Sequence, residues 1–287
     1  MRVVILTRVR RGMASLALPA ILRAGHDVPA IVFAMGQPQR LLTRIERLVR
    51  KTARIGPLGA INGIRIRPWF STEPADRLGI EDIAIVAARH HVPIHETPGT
   101  NTAQTIDIVQ RAQCTLGLSL GNSYISKRVF SIPSSGMINI HHELLPDYPG
   151  AQSVLWQIHD GHTVSGYTVH QVREHIDKGE ILYREAIPIS FESTLQQTVV
   201  KNCATLFQKS VDGLLRVLND YPALIATAEA QPTSNRNFTT PTWREFRTML
   251  REHRRLLRSA ASEVGDHPRD HDQHRRDGHH QASRIDQ

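Results

Sequence analysis

Four short apolar runs constrain this chain most: Val3-Val4-Ile5-Leu6, Val28 to Ala34, Cys114 to Leu120 and Gly136-Met137-Ile138. Each is too short for a core helix and lacks the apolar/polar alternation of a half-exposed strand. They read as strands covered on both faces, the pattern of a parallel sheet. Between the first two runs, Ala14 to Ala24 carries helical periodicity ending at Gly25, which gives a β-α-β start and a right-handed crossover.

The alternation continues. Helices are expected over 40–54, 80–90, 105–112 (N-capped by Asn101), 125–130 and 151–159, and strands over 92–95, 166–172 and 179–189. Gly56-Pro57 breaks the 40–54 helix, and Ile64 to Trp69 reads as extended. From Leu195 to Leu218, residues Val199, Cys203, Leu206, Phe207, Leu214 and Val217 share one helical face that can cover the sheet. Asn235 to Trp243 reads as extended, with a last helix from Trp243 to Arg258. The reading is α/β: a Rossmann-like, mostly parallel sheet flanked by helices over 1–190, a small helical C-terminal extension over 191–258, and a disordered tail rich in His, Arg and Asp over 259–287.

Charge is distributed unevenly. Residues 1–70 hold thirteen Lys or Arg against Asp27 and Glu46, an excess of 13 − 2 = +11, more than the +8 of the whole chain. Such a field attracts nucleotides, phosphorylated metabolites, tRNA or lipid headgroups. Much of it lies between 38 and 68, where Leu41, Ile45, Leu48 and Val49 oppose arginines on a helix. The turn after the first strand lacks G-x-G-x-x-G and so does not suit a dinucleotide, but it presents Arg8, Arg10 and Arg11 beside a helix start, where phosphate is favoured. No apolar run approaches a membrane span and the chain enters a strand at once, so a cytoplasmic protein with no membrane partner is expected. Cys114 and Cys203 lie in apolar surroundings without metal spacing, and the histidines of the tail (His267, His271, His274, His279, His280) have no scaffold. No metal is expected.

The chemistry collects where the fourth apolar run ends, in Asn139-Ile140-His141-His142-Glu143-Leu144-Leu145-Pro146-Asp147-Tyr148-Pro149-Gly150. Residues two apart on a strand point the same way, so Asn139 and His141 can converge on one carbonyl oxygen and stabilise charge developing there. Asp177 can hold the imidazole protonated and take a proton from an attacking amine, directly or through water. No G-x-S-x-G serine or poised cysteine is present, which favours direct attack by an external amine over a covalent intermediate. His141, His142 and Glu143 alternate faces and do not readily share one ion.

The ordered set Asn139-x-His141-x-x-Leu144-Leu145-Pro146, Gly150, Gly166-Tyr167-Thr168-Val169-His170 and Asp177-x-Gly179 resembles the signature of the formyltetrahydrofolate-dependent formyltransferases. These include glycinamide ribonucleotide transformylase, methionyl-tRNA formyltransferase and the sugar N-formyltransferases. The resemblance implies N10-formyltetrahydrofolate as donor, catalytic positions at Asn139, His141 and Asp177, and a folate-lining loop at Ser119, Leu120, Gly121, Asn122, Ser123, Tyr124 and Ile125. Arg8, Arg10, Arg11, Tyr148 and Gly150 are the expected substrate contacts. The family's Gly/Ser-rich phosphate loop is replaced by Arg8-Val9-Arg10-Arg11, which disfavours glycinamide ribonucleotide. About 57 residues follow Ala230, short of the β-barrel domain of the tRNA enzyme. The resemblance is closest to the sugar N-formyltransferases, with a nucleotide-linked amino deoxysugar as acceptor and homodimerisation near Phe238 and Trp243 as a further expectation. Methionyl-tRNA is the alternative acceptor, since the basic insertion keeps nucleic acid open. Formyltetrahydrofolate hydrolysis and a non-enzymatic role in binding nucleic acid also stay open.

Overall fold

Burial splits the strands by their period of two. In β1 (Arg2–Thr7), Val3 and Ile5 enter one core and Val4 and Leu6 another, so the sheet is covered on both faces. The computed structural model describes residues 1–36, 41–232 and 237–265. Arg40, Asn235 and Arg236 and the five tail histidines lie outside these residues.

Seven strands form one sheet in the order β3-β2-β1-β4-β5-β6-β7. β2 (Asp27–Ala34), β3 (Ile94–Thr97), β4 (Leu116–Ser119) and β5 (Met137–His141) join β1 in parallel, while β6 (Val164–Gln171) and β7 (Ile181–Pro188) add an antiparallel hairpin beside β5. The mostly parallel, Rossmann-like sheet expected from the sequence is the observed one. Strand order reverses direction between β1 and β4, and such switch points open a crevice at the carboxyl ends of the strands.

One core contains α1 (Met13–Arg23), α4 (Ile83–Arg89), α7 (Leu155–His159) and α8 (Leu195–Asn219); the other contains α5 (Ala103–Ala112) and α6 (Lys127–Phe130). α8, counted with the C-terminal extension on sequence, buries Val199, Leu206, Leu214 and Val217 in the first core. Gly213 lets it approach the sheet, because a Cβ there would run into the ring of Tyr167. The remaining helices are α2 (Leu41–Ile66), α3 (Thr72–Arg77), α9 (Tyr221–Ala226) and α10 (Trp243–Gly265).

Several local expectations are corrected. Residues 64–66 end α2, and 67–70 form a single 3-10 turn rather than an extended segment, because Ile66 and Trp69 are drawn into the core on one side. The break expected at Gly56-Pro57 is present: Gly56 has non-helical backbone (φ 75°) and divides α2 into two helical segments. The α5 cap is Thr102, whose hydroxyl accepts from Thr105 N; Asn101 instead bridges to the 124–126 loop through Tyr124 O and Ser126 N. Residues 151–154 turn before α7 begins, since Gly150 and Ala151 are held against Phe238 by a bridge and a 2.9 Å hydrogen bond. α10 runs through 259–265, into the segment expected to be disordered. Phe238 packs between Tyr148 and Trp156 at ring distances of 5.1 Å, while Trp243 is 38% exposed. Among the described residues no helix is long and apolar enough to cross a membrane.

Candidate active site

The β5–β6 register puts Asn139 opposite His170 and His141 opposite Thr168. Asn139 and His141 therefore share a face, and β6 adds a second histidine to it. A turn through 172–178 returns Asp177, with φ 55°, to the same place; Asp is one of the few non-glycine residues that adopts this conformation readily. Gly179 follows because a Cβ there would overlap the Gln171 carbonyl. The Asp177 carboxylate lies between the two imidazoles, with Oδ2 3.7 Å from His141 Nδ1 and Oδ1 3.6 Å from His170 Nε2. Both separations exceed a hydrogen bond.

The histidines are tied down through their other nitrogens. His141 Nε2 donates to the Tyr148 carbonyl at 2.9 Å. A carbonyl only accepts, so Nε2 carries a proton and Nδ1 is the atom turned toward Asp177. His170 Nδ1 donates to the Gln171 carbonyl at 2.8 Å. Burial lowers the His170 pKa against the opposing pull of Asp177 and favours the neutral ring, whose Nε2, with Nδ1 donating, accepts from Asn139 Nδ2 at 3.2 Å. That bond fixes the Asn139 amide with its nitrogen toward His170 and leaves one N–H for a ligand. The assembly can donate from Asn139 and from a protonated His141 Nδ1, and can accept a proton at Asp177.

These groups line a cavity of about 440 Å³. Its walls include Ser119, Gly121, Asn122, Ser123, Tyr124 and Ile125 from the loop after β4, Val172, Arg173, His175 and Ile176 from the turn before Asp177, and Gly150 to Ser153. Two side-chain oxygens of lining residues, Asn122 Oδ1 and Gln152 Oε1, are buried without a hydrogen-bond partner. Gly150 (φ 120°) sits against Phe238, where any Cβ would meet the Phe238 carbonyl.

The expected site residues divide. Asn139, His141, Asp177, Ser119, Gly121, Asn122, Tyr124, Ile125 and Gly150 meet at the cavity. Leu120 does not: it is 1% exposed and belongs to the core. Tyr148 contributes its backbone carbonyl to His141, and its hydroxyl donates to Asp160. Arg8 reaches the rim through Ser123 Oγ at 3.1 Å. Arg10 lies over the Phe33 ring and pairs with Glu96 and Asp82, and Arg11 pairs with Asp76 and donates to the Ile80 carbonyl. Neither lines the cavity.

The sequence reading did not place His170, Gln152, Arg173, Phe70 or Phe207 in the site. His170 was accessible to it: on the 166–172 strand, period two puts Thr168, His170 and Val172 on one face. His142 also lines the cavity, with Nε2 hydrogen-bonded to Ser210 Oγ at 3.2 Å; burial lowers its pKa to about 3. Glu143 is also buried, its pKa pushed up to about 8 by desolvation, and accepts from Gln157 Nε2.

Known proteins resemble parts of this chain. The family model described as "Formyl transferase" matches residues 122–210. A methionyl-tRNA formyltransferase of Trichlorobacter lovleyi is 29% identical over 188 residues, 64% of this chain and 57% of that protein. One from Porphyromonas gingivalis is 31% identical over 124 residues, 43% of this chain and 38% of its own length. The chain thus spans less than two thirds of the curated relatives it matches. Among solved structures, phosphoribosylglycinamide formyltransferase from Bacillus halodurans superposes with a TM-score of 0.52 at 18% identity, over 77% of this chain and 97% of that one. An N-formyltransferase from Helicobacter canadensis, solved with folinic acid and dTDP-3-aminofucose, gives 0.50 at 15% identity over 85% and 72%. At these identities the structures show a shared fold.

Proposed function

We propose that this chain, a member of the formyl transferase family, moves a formyl group from N10-formyltetrahydrofolate to a primary amine. The observation that carries the reading is the convergence of Asn139, His141 and Asp177 on one cavity, with His170 holding the amide and Tyr148 O holding the imidazole. The folate supplies an electrophilic formyl carbon. Ile125, Val172 and Ile176 offer it apolar contacts.

In this reading the incoming amine nitrogen bonds to the formyl carbon and the carbon–N10 bond breaks. Asn139 Nδ2–H and His141 Nδ1–H stabilise the charge on the formyl oxygen, donors aimed where that charge develops. Asp177 stabilises the His141 imidazolium. It also receives the proton lost by the amine, directly or through water, and that proton is passed to N10 as the tetrahydrofolate leaves.

For the acceptor, the first reading is a nucleotide-linked amino sugar in the cytoplasm. It is supported by Arg8 at the rim and Arg173 in the wall, guanidinium groups suited to a diphosphate, and by the dTDP-3-aminofucose bound in the Helicobacter canadensis structure. Methionyl-tRNA is the second reading, favoured by the methionyl-tRNA formyltransferases among the curated relatives. The test is mass-spectrometric detection of a formyl gain after incubating the protein with N10-formyltetrahydrofolate and each acceptor pool separately. Gain on a sugar nucleotide supports the first reading and gain only on methionyl-tRNA the second. Formate release with neither acceptor modified points to hydrolysis of the donor and overturns amine transfer.

A further inference from the structure

α2 is amphipathic, with its aliphatic and basic residues on opposite arcs. At 100° per residue, Ile45, Leu48, Val49 and Thr52 fall on one arc, while Arg47, Arg50, Lys51 and Arg54 fall on the opposite one. In a helix packed on a domain the apolar arc is buried. Here Ile45 is 47% exposed, Leu48 58% and Val49 60%. Beyond the Gly56 kink a second exposed aliphatic row follows at three-residue spacing, Leu58, Ile61 and Ile64, at 57%, 65% and 73%. Attachment to the domain runs through the other side, by Ile55, Gly59, Asn62, Gly63 and Ile66, where Gly59 and Gly63 lie against Thr240 and Pro241. The helix is thus anchored by its small-residue side, with six large aliphatic side chains left in solvent.

We propose that α2 is a membrane-surface helix that lays its aliphatic rows into the interface of an anionic bilayer while its arginines engage the headgroups. Charge decides the partner. Between 41 and 66 the sequence has six basic residues and one acid, Glu46, a net 6 − 1 = +5. A basic polar arc opposite an aliphatic arc is the composition of helices that lie in the plane of a charged bilayer. RNA would engage the arginines but leave the aliphatic rows in water, since Ile, Leu and Val provide no stacking surface for bases. A second copy would cover the aliphatic rows but bring another +5, with only Glu46 to pair it. Surface adsorption needs no spanning helix and is compatible with the lack of one among the described residues.

Co-sedimentation of the full chain with vesicles tests this, using phosphatidylcholine alone and phosphatidylcholine with about one-third phosphatidylglycerol. The expected result is at least tenfold more protein bound to the anionic vesicles, reduced by salt. Two triple variants separate the contributions: Ile45→Ser/Leu48→Ser/Val49→Ser and Arg47→Gln/Arg50→Gln/Arg54→Gln. Each is expected to lower binding at least tenfold; the side chains are exposed, so thermal unfolding should be unchanged. Several results would overturn the proposal: no binding to anionic vesicles at low salt, full binding by the serine variant, or a tRNA gel shift without vesicle binding. A dimer in light scattering that the serine variant dissolves, again without vesicle binding, would assign the face to a second copy. None of these readouts depends on formyl transfer, so the two proposals stand or fall separately.

Discussion

Two polar clusters stand at the carboxyl edge of the same sheet and are built in opposite ways. After β1, Arg10 and Arg11 are about half exposed, and both guanidiniums are taken by carboxylates of neighbouring elements. At the ends of β5 and β6, Asn139, His141, His170 and Asp177 are largely buried; Asn139 and His141 are each held by one atom and leave another for the cavity, while His170 uses both ring nitrogens to fix the amide. The first cluster has the more conspicuous composition, yet exposed ion pairs of this kind contribute about 0–1 kcal/mol and bind nothing in particular. The second has modest composition and all the reactive geometry. Accounting for hydrogen-bond partners separates them where charge counting does not.

Substitutions should widen this contrast. Asp177→Asn keeps the volume but removes the proton acceptor; initial rates of transfer should fall by roughly 10²–10⁴-fold with folding retained. A near-normal rate would remove Asp177 from the mechanism. Asn139→Ala removes one donor to the formyl oxygen, with an expected loss of about 10²–10³-fold in kcat. A loss confined to KM would make the amide a binding group only.

The buried Glu143, in the loop after β5, offers a stability readout. The unfolded chain gives up the Glu143 proton near pH 4.5, while the folded chain keeps it until about 8. The folded chain therefore binds more protons through that window, and stability declines as pH rises from 4.5 through 8, by ~5 kcal/mol at most. Denaturant titrations at both ends of the window should show the decline in the parent chain and its loss in Glu143→Gln. A parallel decline in the variant would place its origin elsewhere. Smallest of all, Arg10→Ala and Arg11→Ala should each change kcat/KM by no more than about twofold, as expected of surface ion pairs. A tenfold rise in KM for either would return the β1 turn to substrate binding.

Much of this was legible in the sequence. The apolar runs gave the parallel half of the sheet, because a strand covered on both faces has no polar positions to confuse its reading, as in Val3 to Leu6. Asn139 and His141 were found together because period two is a property of the chain alone. What the sequence could not supply was partner choice. Arg10 and Arg11 looked free because Asp76, Asp82 and Glu96 reach them only through the fold. Ile64 to Trp69 read as extended because Gly59, Gly63 and Pro68 weaken helical propensity, and the burial of Ile66 and Trp69 that overrides it is tertiary. The amphipathic pattern of 41–55 was readable, but not that its aliphatic face stays in solvent.

The most direct measurement of the central claim follows formyl transfer by the parent chain and by Asn139→Ala/Asp177→Asn, with N10-formyltetrahydrofolate and the accepted amine, while folinic acid binding to each is measured by titration. The account predicts rapid formylation by the parent, none detectable by the double variant, and binding of folinic acid by both. Equal formylation by the two proteins would contradict it and move the chemistry out of this cavity.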